Sequence, residues 1–160
     1  MRVGTGYDSH RFAEGRTLIL GGVHIPDHAG LLGHSDGDAV AHAVIDAILG
    51  AAAAGNVGSH FPPSDDAWKN ADSMELLQKA VDILEARAYQ VVNVDVTVVC
   101  ETPRIGSWVD GMRERLAEVL RVGASAVSVK GKTNEGMGWI GRGEGLAVHA
   151  VALIDSIGGS

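Results

Sequence analysis

The stretch "GHSDGDAVAHAVIDAILG", residues 33 to 50, sets the frame for the rest of the chain. From Asp38 onward Val40, Ala41, Val44, Ile45, Ile48 and Leu49 recur at spacings of three and four, which predicts an amphipathic helix from Asp38 to about Ala54. Before it, "SDGD" has capping-box spacing, with Ser35 three residues ahead of Asp38, and Asp-Gly is a turn former. His42 stands one helical turn after Asp38 and two after His34, so the helix start also carries polar groups at turn spacing.

Working outward, "MRVGTGYDSH" at the N-terminus reads as a strand containing glycines. "RTLILGGVHIP" reads as a second short β segment ended by Pro26, the two making a hairpin-like pair. On the other side, "GNVGSHFPPSDDAWKNAD" is rich in turn formers, with Phe61 and Trp68 its only large apolar groups, and reads as a long loop of the kind that forms lids. A second helix is expected over 73 to 88, capped by Asp72 or Ser73, with Leu76, Leu77, Ala80, Val81 and Leu84 on one face. "VVNVDVTVVC" follows as a β-branched strand, then a helix from about Trp108 to Val122 and a strand "AVSVKGKT". "EGLAVHAVALI" closes the series as a strand buried on both faces. The class is therefore α/β or α+β: one mixed sheet covered by helices on one face, in a single domain over 1–160 with no repeat and no linker.

The formal net charge of −7 argues against nucleic acid or an anionic membrane surface as partner, because either needs a basic face. No apolar run approaches the roughly 20 residues of a membrane helix. Cys100 is the single cysteine, and no charged, apolar, then small-residue leader opens the sequence, so a reducing cytoplasm is the expected compartment. Glycine is the compositional anomaly, with 22 residues, about twice the usual share. Its clusters, "GTG", "HSDGD", "GKTNEGMGW" and "GRGEG", lie beside most of the chemistry-bearing side chains, where backbone must turn or come close to something.

Asp8 and His10 sit two apart at the end of the first strand, so both point to one face, and His42 on the helix offers a third group. Asp, His and His make a mixed oxygen and nitrogen set suited to Zn²⁺ with one position left open. The bland reading stands beside it: Ser35, Asp36 and Asp38 as ordinary cap and turn residues, and His42 as a satisfied core histidine. The two are compatible. "GTGYDS" lacks the third glycine of a dinucleotide fingerprint, because Ser9 stands there, and "GKT" at 131 to 133 lacks the P-loop glycine, replaced by Ala126. The tract "KGKTNEGMGWIGRGEG" nevertheless combines Lys130, Lys132, Thr133, Glu135 and Arg142 with flexible backbone. That composition suits phosphate and a hard divalent ion as well as it suits a plain solvated loop.

Taken in order, "GYDSH", "GHSDGDAVAH", "FPPSD", "ETPRI" and "KTNEGMGWIGRGEG" closely resemble the 2-C-methyl-D-erythritol 2,4-cyclodiphosphate synthase family of the non-mevalonate isoprenoid pathway, over essentially the whole chain. The resemblance implies a homotrimer with sites between neighbouring subunits and a small-molecule cytidine diphosphate substrate, 4-diphosphocytidyl-2-C-methyl-D-erythritol 2-phosphate, which is cyclised with expulsion of CMP. It implies Zn²⁺, or another divalent transition metal, on Asp8, His10 and His42. It also implies substrate phosphate against His34 and Ser35, catalytic roles for His34 and Thr133, and Mg²⁺ or Mn²⁺ on Glu135. Cys100, Glu101, Thr102, Pro103, Arg104, Ile105 and Gly106 would line the cytidine pocket of a neighbouring site. Further substrate contacts would come from Ser9, from Asn56, Val57 and Gly58, from Phe61, Pro62, Pro63, Ser64 and Asp65, from Lys132 and Asn134, and from Trp139. Arg142 matches the family's anion-binding arginine near the trimer axis.

This chain departs from the family's usual residues at Asn56 and Pro63, where Asp is common, at Lys132 and Asn134, where Thr or Ser is usual, and at Arg104, which replaces Lys. Two other functions compete with the cyclisation. A zinc phosphohydrolase would need a second metal cluster or a general base, and a non-catalytic isoprenoid-diphosphate-binding trimer would need no intact metal triad.

Overall fold

The computed structural model describes residues 1 to 158; Gly159 and Ser160, the last two residues of the expected 1–160 domain, lie outside the described residues. Strand β1 (Arg2–Ala13) is followed by two short strands, β2 (Leu18–Leu20) and β3 (Val23–Ile25), and by β4 (Gly30–Leu31). Helix α1 (Ala39–Ala51), the one-turn helix α2 (Val57–His60) and α3 (Ser73–Ala86) come next. They lead to β5 (Tyr89–Val99), α4 (Val109–Leu120), β6 (Val127–Lys132), the one-turn α5 (Gly138–Gly141) and β7 (Gly145–Ser156).

Five strands form one mixed sheet in the order β4-β1-β7-β5-β6, antiparallel except for the β5–β6 pair. Helices α1, α3 and α4 pack on one face of it. Their apolar stripes, including Val44, Ile48, Leu77, Leu84, Met112 and Leu116, meet Val94, Val96, Val98, Leu146, Val148 and Ile154 in one continuous buried core.

The first strand does not form a hairpin with the Arg16–Pro26 segment. Along Arg2–Arg11 it pairs with β7, and its other edge takes only β4, at Phe12 and Ala13. The Arg16–Pro26 segment folds on itself instead. Gly21 and Gly22 hold φ of 57° and 73°, the two positive angles of a tight hairpin turn, and join β2 to β3 as a separate two-stranded ribbon. The closing strand also differs from expectation. Only its first four residues, Gly145–Val148, are buried on both faces; from His149 on, exposed or partly exposed side chains alternate with buried ones, so one face of the sheet stands open.

Candidate functional site

Two glycines in "GTG" decide how the site is assembled. A Cβ on Gly4 would lie 2.1 Å from the Ala47 carbonyl oxygen and one on Gly6 1.8 Å from that of Ala43, so α1 rests directly on the backbone of β1. Asp8 and His10 share the strand face of Gly4 and Gly6, because side chains alternate along a strand. The seated helix brings His42 over them. The helix is capped by Asp38, not Ser35: Asp38 Oδ1 accepts from Ala41 N at 3.0 Å and Gly21 N at 2.9 Å, and Oδ2 accepts from Gly22 N at 2.7 Å. Asp38 is fully buried, which pushes its carboxyl up to about 6 against these three donors. The capping-box reading of Ser35 fails because the chain is still in a turn there, with the Ser35 hydroxyl accepting from Gly37 N at 3.2 Å.

Asp8, His10 and His42 each offer one ligand atom, and the three atoms lie within 4.8 Å of one another. Asp8 Oδ2 is 2.8 Å from His10 Nε2 and 3.1 Å from His42 Nδ1. The far nitrogen of His10, Nδ1, sits 2.6 Å from the Leu32 carbonyl oxygen, which can only accept, so in the neutral ring the proton is there and Nε2 presents a lone pair to the carboxylate. Two acceptors at that distance repel unless a cation or a proton lies between them. Burial pushes the Asp8 carboxyl up, but its bonds to His10 and His42 outweigh this and hold it below the usual range. Burial pulls His10 down, and the Asp8 carboxylate outweighs it, leaving the imidazole above its ordinary value. Both shifts describe a place that draws positive charge. One carboxylate oxygen and two imidazole nitrogens, half-buried and convergent, fit a divalent transition metal.

Beside the triad, His10, His34, Ser35 and His42 share a cavity of about 270 Å³ with Val57, Gly58, Phe61, Pro63, Trp68 and Leu76. The expected long loop is more ordered than its composition suggested. Asn56 caps α2, its side-chain oxygen accepting from Ser59 N at 2.9 Å, and Asp46 of α1 accepts from Val57 N at 2.7 Å. Phe61 is buried and meets Trp68 edge-on with ring centroids 5.2 Å apart. His34 Nε2 lies 3.3 Å from the Asp65 carbonyl, while Pro62 is half-buried and Ser64 and Asp65 are exposed on the rim segment.

The remaining candidates gather elsewhere. Cys100, Glu101, Pro103, Arg104, Ile105 and Gly106 line a second cavity, again of about 270 Å³, with Gly131, Lys132 and Thr133. Thr102 is exposed and its hydroxyl lies 3.2 Å from His28 Nε2. Glu101 Oε1 accepts from Asn134 N at 2.9 Å and Gly136 N at 3.2 Å, while the Thr133 hydroxyl donates to Glu135 Oε1 at 3.1 Å. Glu135 itself is exposed, with a left-handed φ of 52°. The register fixes how far apart the two regions are: Asp8 pairs with Val148, Val148 with Val98, and Val98 with Gly131. Three strand spacings separate the triad from the second cavity, roughly 14 Å. Trp139 and Ser9 line a third hollow with His10, Arg11 and Glu144, and the Arg142 guanidinium is paired with Glu144 at 2.7 Å.

Sequence reasoning missed Asp46, and it gave Asp36 and Ser73 only turn and cap roles. Ser73 is fully buried, its hydroxyl 3.0 Å from His42 Nε2, and it donates to Asp36 Oδ1 at 2.5 Å. Only the mutual approach of α1 and α3 brings these groups together, so no local spacing announces them. The uncovered sheet face carries Val3, Tyr7 and Val151, exposed at 65%, 51% and 43%, an unusual amount of apolar surface for a strand face left to water. Among the described residues no helix is long and apolar enough to cross a membrane.

The model of the YgbB family matches residues 1–155. A 2-C-methyl-D-erythritol 2,4-cyclodiphosphate synthase of Brachyspira hyodysenteriae is 53% identical over 154 residues, 96% of this chain and 98% of that one. Among solved structures, the bifunctional IspDF of Campylobacter jejuni superposes with a TM-score of 0.94 at 39% identity, over 97% of this chain and 42% of that longer one. IspF of Plasmodium falciparum in its CDP complex gives a TM-score of 0.84 at 34% identity, over 97% of this chain and 96% of that one.

Proposed function

The chain belongs to the YgbB family, and from that premise we propose that it converts 4-diphosphocytidyl-2-C-methyl-D-erythritol 2-phosphate into 2-C-methyl-D-erythritol 2,4-cyclodiphosphate with release of CMP. The observation that carries the reading is the convergence of Asp8, His10 and His42 on one point at the edge of a cavity that also holds His34 and Ser35. In the reaction an oxygen of the 2-phosphate attacks the β-phosphorus; one P–O bond forms, the P–O bond to the α-phosphate breaks, and CMP departs with the electron pair. The protein supplies no nucleophile, so catalysis is positioning and charge neutralisation.

We assign Asp8, His10 and His42 as ligands of Zn²⁺ or another divalent transition metal, and Glu135 as the holder of Mg²⁺ or Mn²⁺. When bound, these ions supply polarisation and neutralisation of phosphoryl oxygens. His34 and Ser35 hold the reacting phosphate, and the Thr133 hydroxyl, next to Glu135, steadies the developing charge. Val57, Phe61 and Trp68 wall the first cavity and exclude water, whose attack would give a linear product. The Cys100–Gly106 segment with Lys132 takes the cytidine diphosphate end, and the CDP complex of the Plasmodium falciparum relative supports a ligand of that class.

We place the complete site between copies in a homotrimer of single-domain chains working in the cytoplasm. Two features support the assembly: the roughly 14 Å between the half-sites of one chain, and the exposed Val3, Tyr7 and Val151 on the open sheet face. Phosphorus NMR of the protein with substrate, Zn²⁺ and Mg²⁺ tests the reaction. The cyclic diphosphate and CMP are expected, and both should disappear in His42→Ala along with stoichiometric zinc while the circular dichroism of the fold remains. Linear diphosphate would identify a phosphohydrolase, and bound zinc without turnover a binding protein. Light scattering that gave an active monomer would refute the shared site.

A further inference from the structure

Of the Cys100–Gly106 segment, Thr102 alone is absent from the lining of the second cavity. Its hydroxyl turns instead to His28, 3.2 Å from Nε2. The other ring nitrogen, Nδ1, lies 2.9 Å from the Ala29 carbonyl oxygen, which can only accept, so the neutral ring carries its proton there and presents Nε2 as a lone pair. Among the described residues the ring makes no other hydrogen bond. The Thr102 hydroxyl is therefore the donor and His28 the acceptor.

The two partners differ in how firmly they are held. Asp27, with a left-handed φ of 59°, turns the chain just before His28. Gly30 N donates to the Arg16 carbonyl at 2.8 Å, and a Cβ on Gly30 would lie 2.5 Å from the carbonyl oxygens of Arg16 and Thr17, so the segment is packed against the chain before β2. It continues as β4, paired with Phe12 and Ala13 of β1, and the imidazole meets the Phe12 ring edge-on with centroids 4.7 Å apart. Thr102, by contrast, is exposed on the loop that leaves β5. We propose that His28 is a positioning residue for the nucleotide: its imidazole anchors Thr102 and so holds the loop in the shape whose other side chains line the cavity.

The inference rests on the reading of the second cavity as the cytidine end, and its test separates the two. Calorimetry with CDP, on the full chain with Zn²⁺ and Mg²⁺, should show a roughly 2- to 10-fold loss of affinity in His28→Phe, the net worth of one hydrogen bond. That variant keeps a ring against Phe12 and removes the acceptor; His28→Ala is the second route if the larger ring does not fold. Thr102→Val should lose as much and Thr102→Ser, which keeps the hydroxyl, should not. The double variant His28→Phe with Thr102→Val should lose no more than either change alone, because both remove the same bond. In turnover, KM of His28→Phe should rise by a similar factor with kcat unchanged, since the cytidine end is held alike before and during phosphoryl transfer. In protein free of CDP, amide hydrogen exchange over 101–106 should quicken in His28→Phe and stay as it was elsewhere.

Unchanged CDP affinity in the His28 variants overturns the anchor, and losses that add in the double variant overturn it too, since two separate contacts would then be at work. A loss in His28→Ala that His28→Phe does not share assigns the effect to packing on Phe12 and overturns it likewise. Wild-type protein that binds no CDP overturns the cytidine reading instead; quickened exchange in His28→Phe would then still support the anchor, and unchanged exchange would remove it.

Discussion

The two cavities of this chain are built on opposite plans. Around Asp8, His10 and His42 nearly every polar atom has a defined partner: Leu32 for His10, Ser73 for His42, Asp36 for Ser73, and Asp46 for the entrance of α2. The side chains stand on a strand and a helix held in direct backbone contact. Around Cys100–Gly106 and Lys132–Glu135 the residues lie mostly on loops at the ends of β5 and β6, Arg104, Lys132 and Glu135 are exposed, and one carboxylate, Glu101, anchors the second loop. A transition metal demands ligand atoms fixed to a few tenths of an ångström and is served by the first plan. A flexible nucleotide diphosphate that must enter and leave is served by the second.

The first plan stands or falls at the glycines under α1, which makes Gly6→Ala the harshest test of the comparison. The added methyl would meet the Ala43 carbonyl at 1.8 Å, and neither the helix nor a strand paired along its length can yield cheaply. We expect a loss of at least ~3 kcal/mol in urea unfolding, together with loss of zinc binding, because His42 moves with the helix. A variant that stayed within 1 kcal/mol of wild type, by an order-of-magnitude standard for surface changes, would mean the triad does not depend on this contact.

The second plan predicts the reverse balance of effects. Glu101→Ala removes the acceptor of Asn134 N and Gly136 N in a loop that is largely exposed, so water replaces the lost partner. Stability should fall by only ~0.5–1 kcal/mol. CDP affinity, measured by calorimetry, should fall several-fold, because the loop bearing Thr133 and Glu135 is no longer held, while zinc binding stays unchanged. Loss of zinc in Glu101→Ala would show that the two cavities are not independent within a chain.

The same contrast explains what could be read from sequence. The excess of glycine pointed to close backbone approach, and Gly4 and Gly6 are where it occurs; the D-x-H pair declared its common face through strand alternation, and the helix period placed His42. These signals are local. The Gly21–Gly22 turn was also local, but it was read as the interior of a single strand segment. Which residue caps α1 was decided by Gly21 and Gly22 donating to Asp38 from a distant ribbon. Ser73 and Asp36 acquire their contact with His42 only when α3 starts beside α1. Such contacts join residues 16 to 37 positions apart, where spacing carries no information.

The smallest effect separates an isolated chain from an assembled one. On the open sheet face Lys130 Nζ contacts Asp95 at 2.5 Å, both side chains about half exposed, and this bond holds the Asp95 carboxyl below its ordinary value. A carboxylate with a depressed folded-state pKa adds stability above its unfolded value of 3.8, and that contribution is lost as pH falls through the lower folded value. Asp95→Asn should therefore cost about 0.2–1 kcal/mol at pH 7, the range of exposed pairs, and nothing near pH 2. If copies of the chain cover this face, the pair is desolvated and its loss leaves a buried lysine, so the cost at pH 7 should rise to ~3 kcal/mol or more and vary with protein concentration. A small, concentration-independent cost places the Asp95–Lys130 end of the sheet in water even in the assembled protein, and confines any subunit contact to the apolar side around Val3, Tyr7 and Val151.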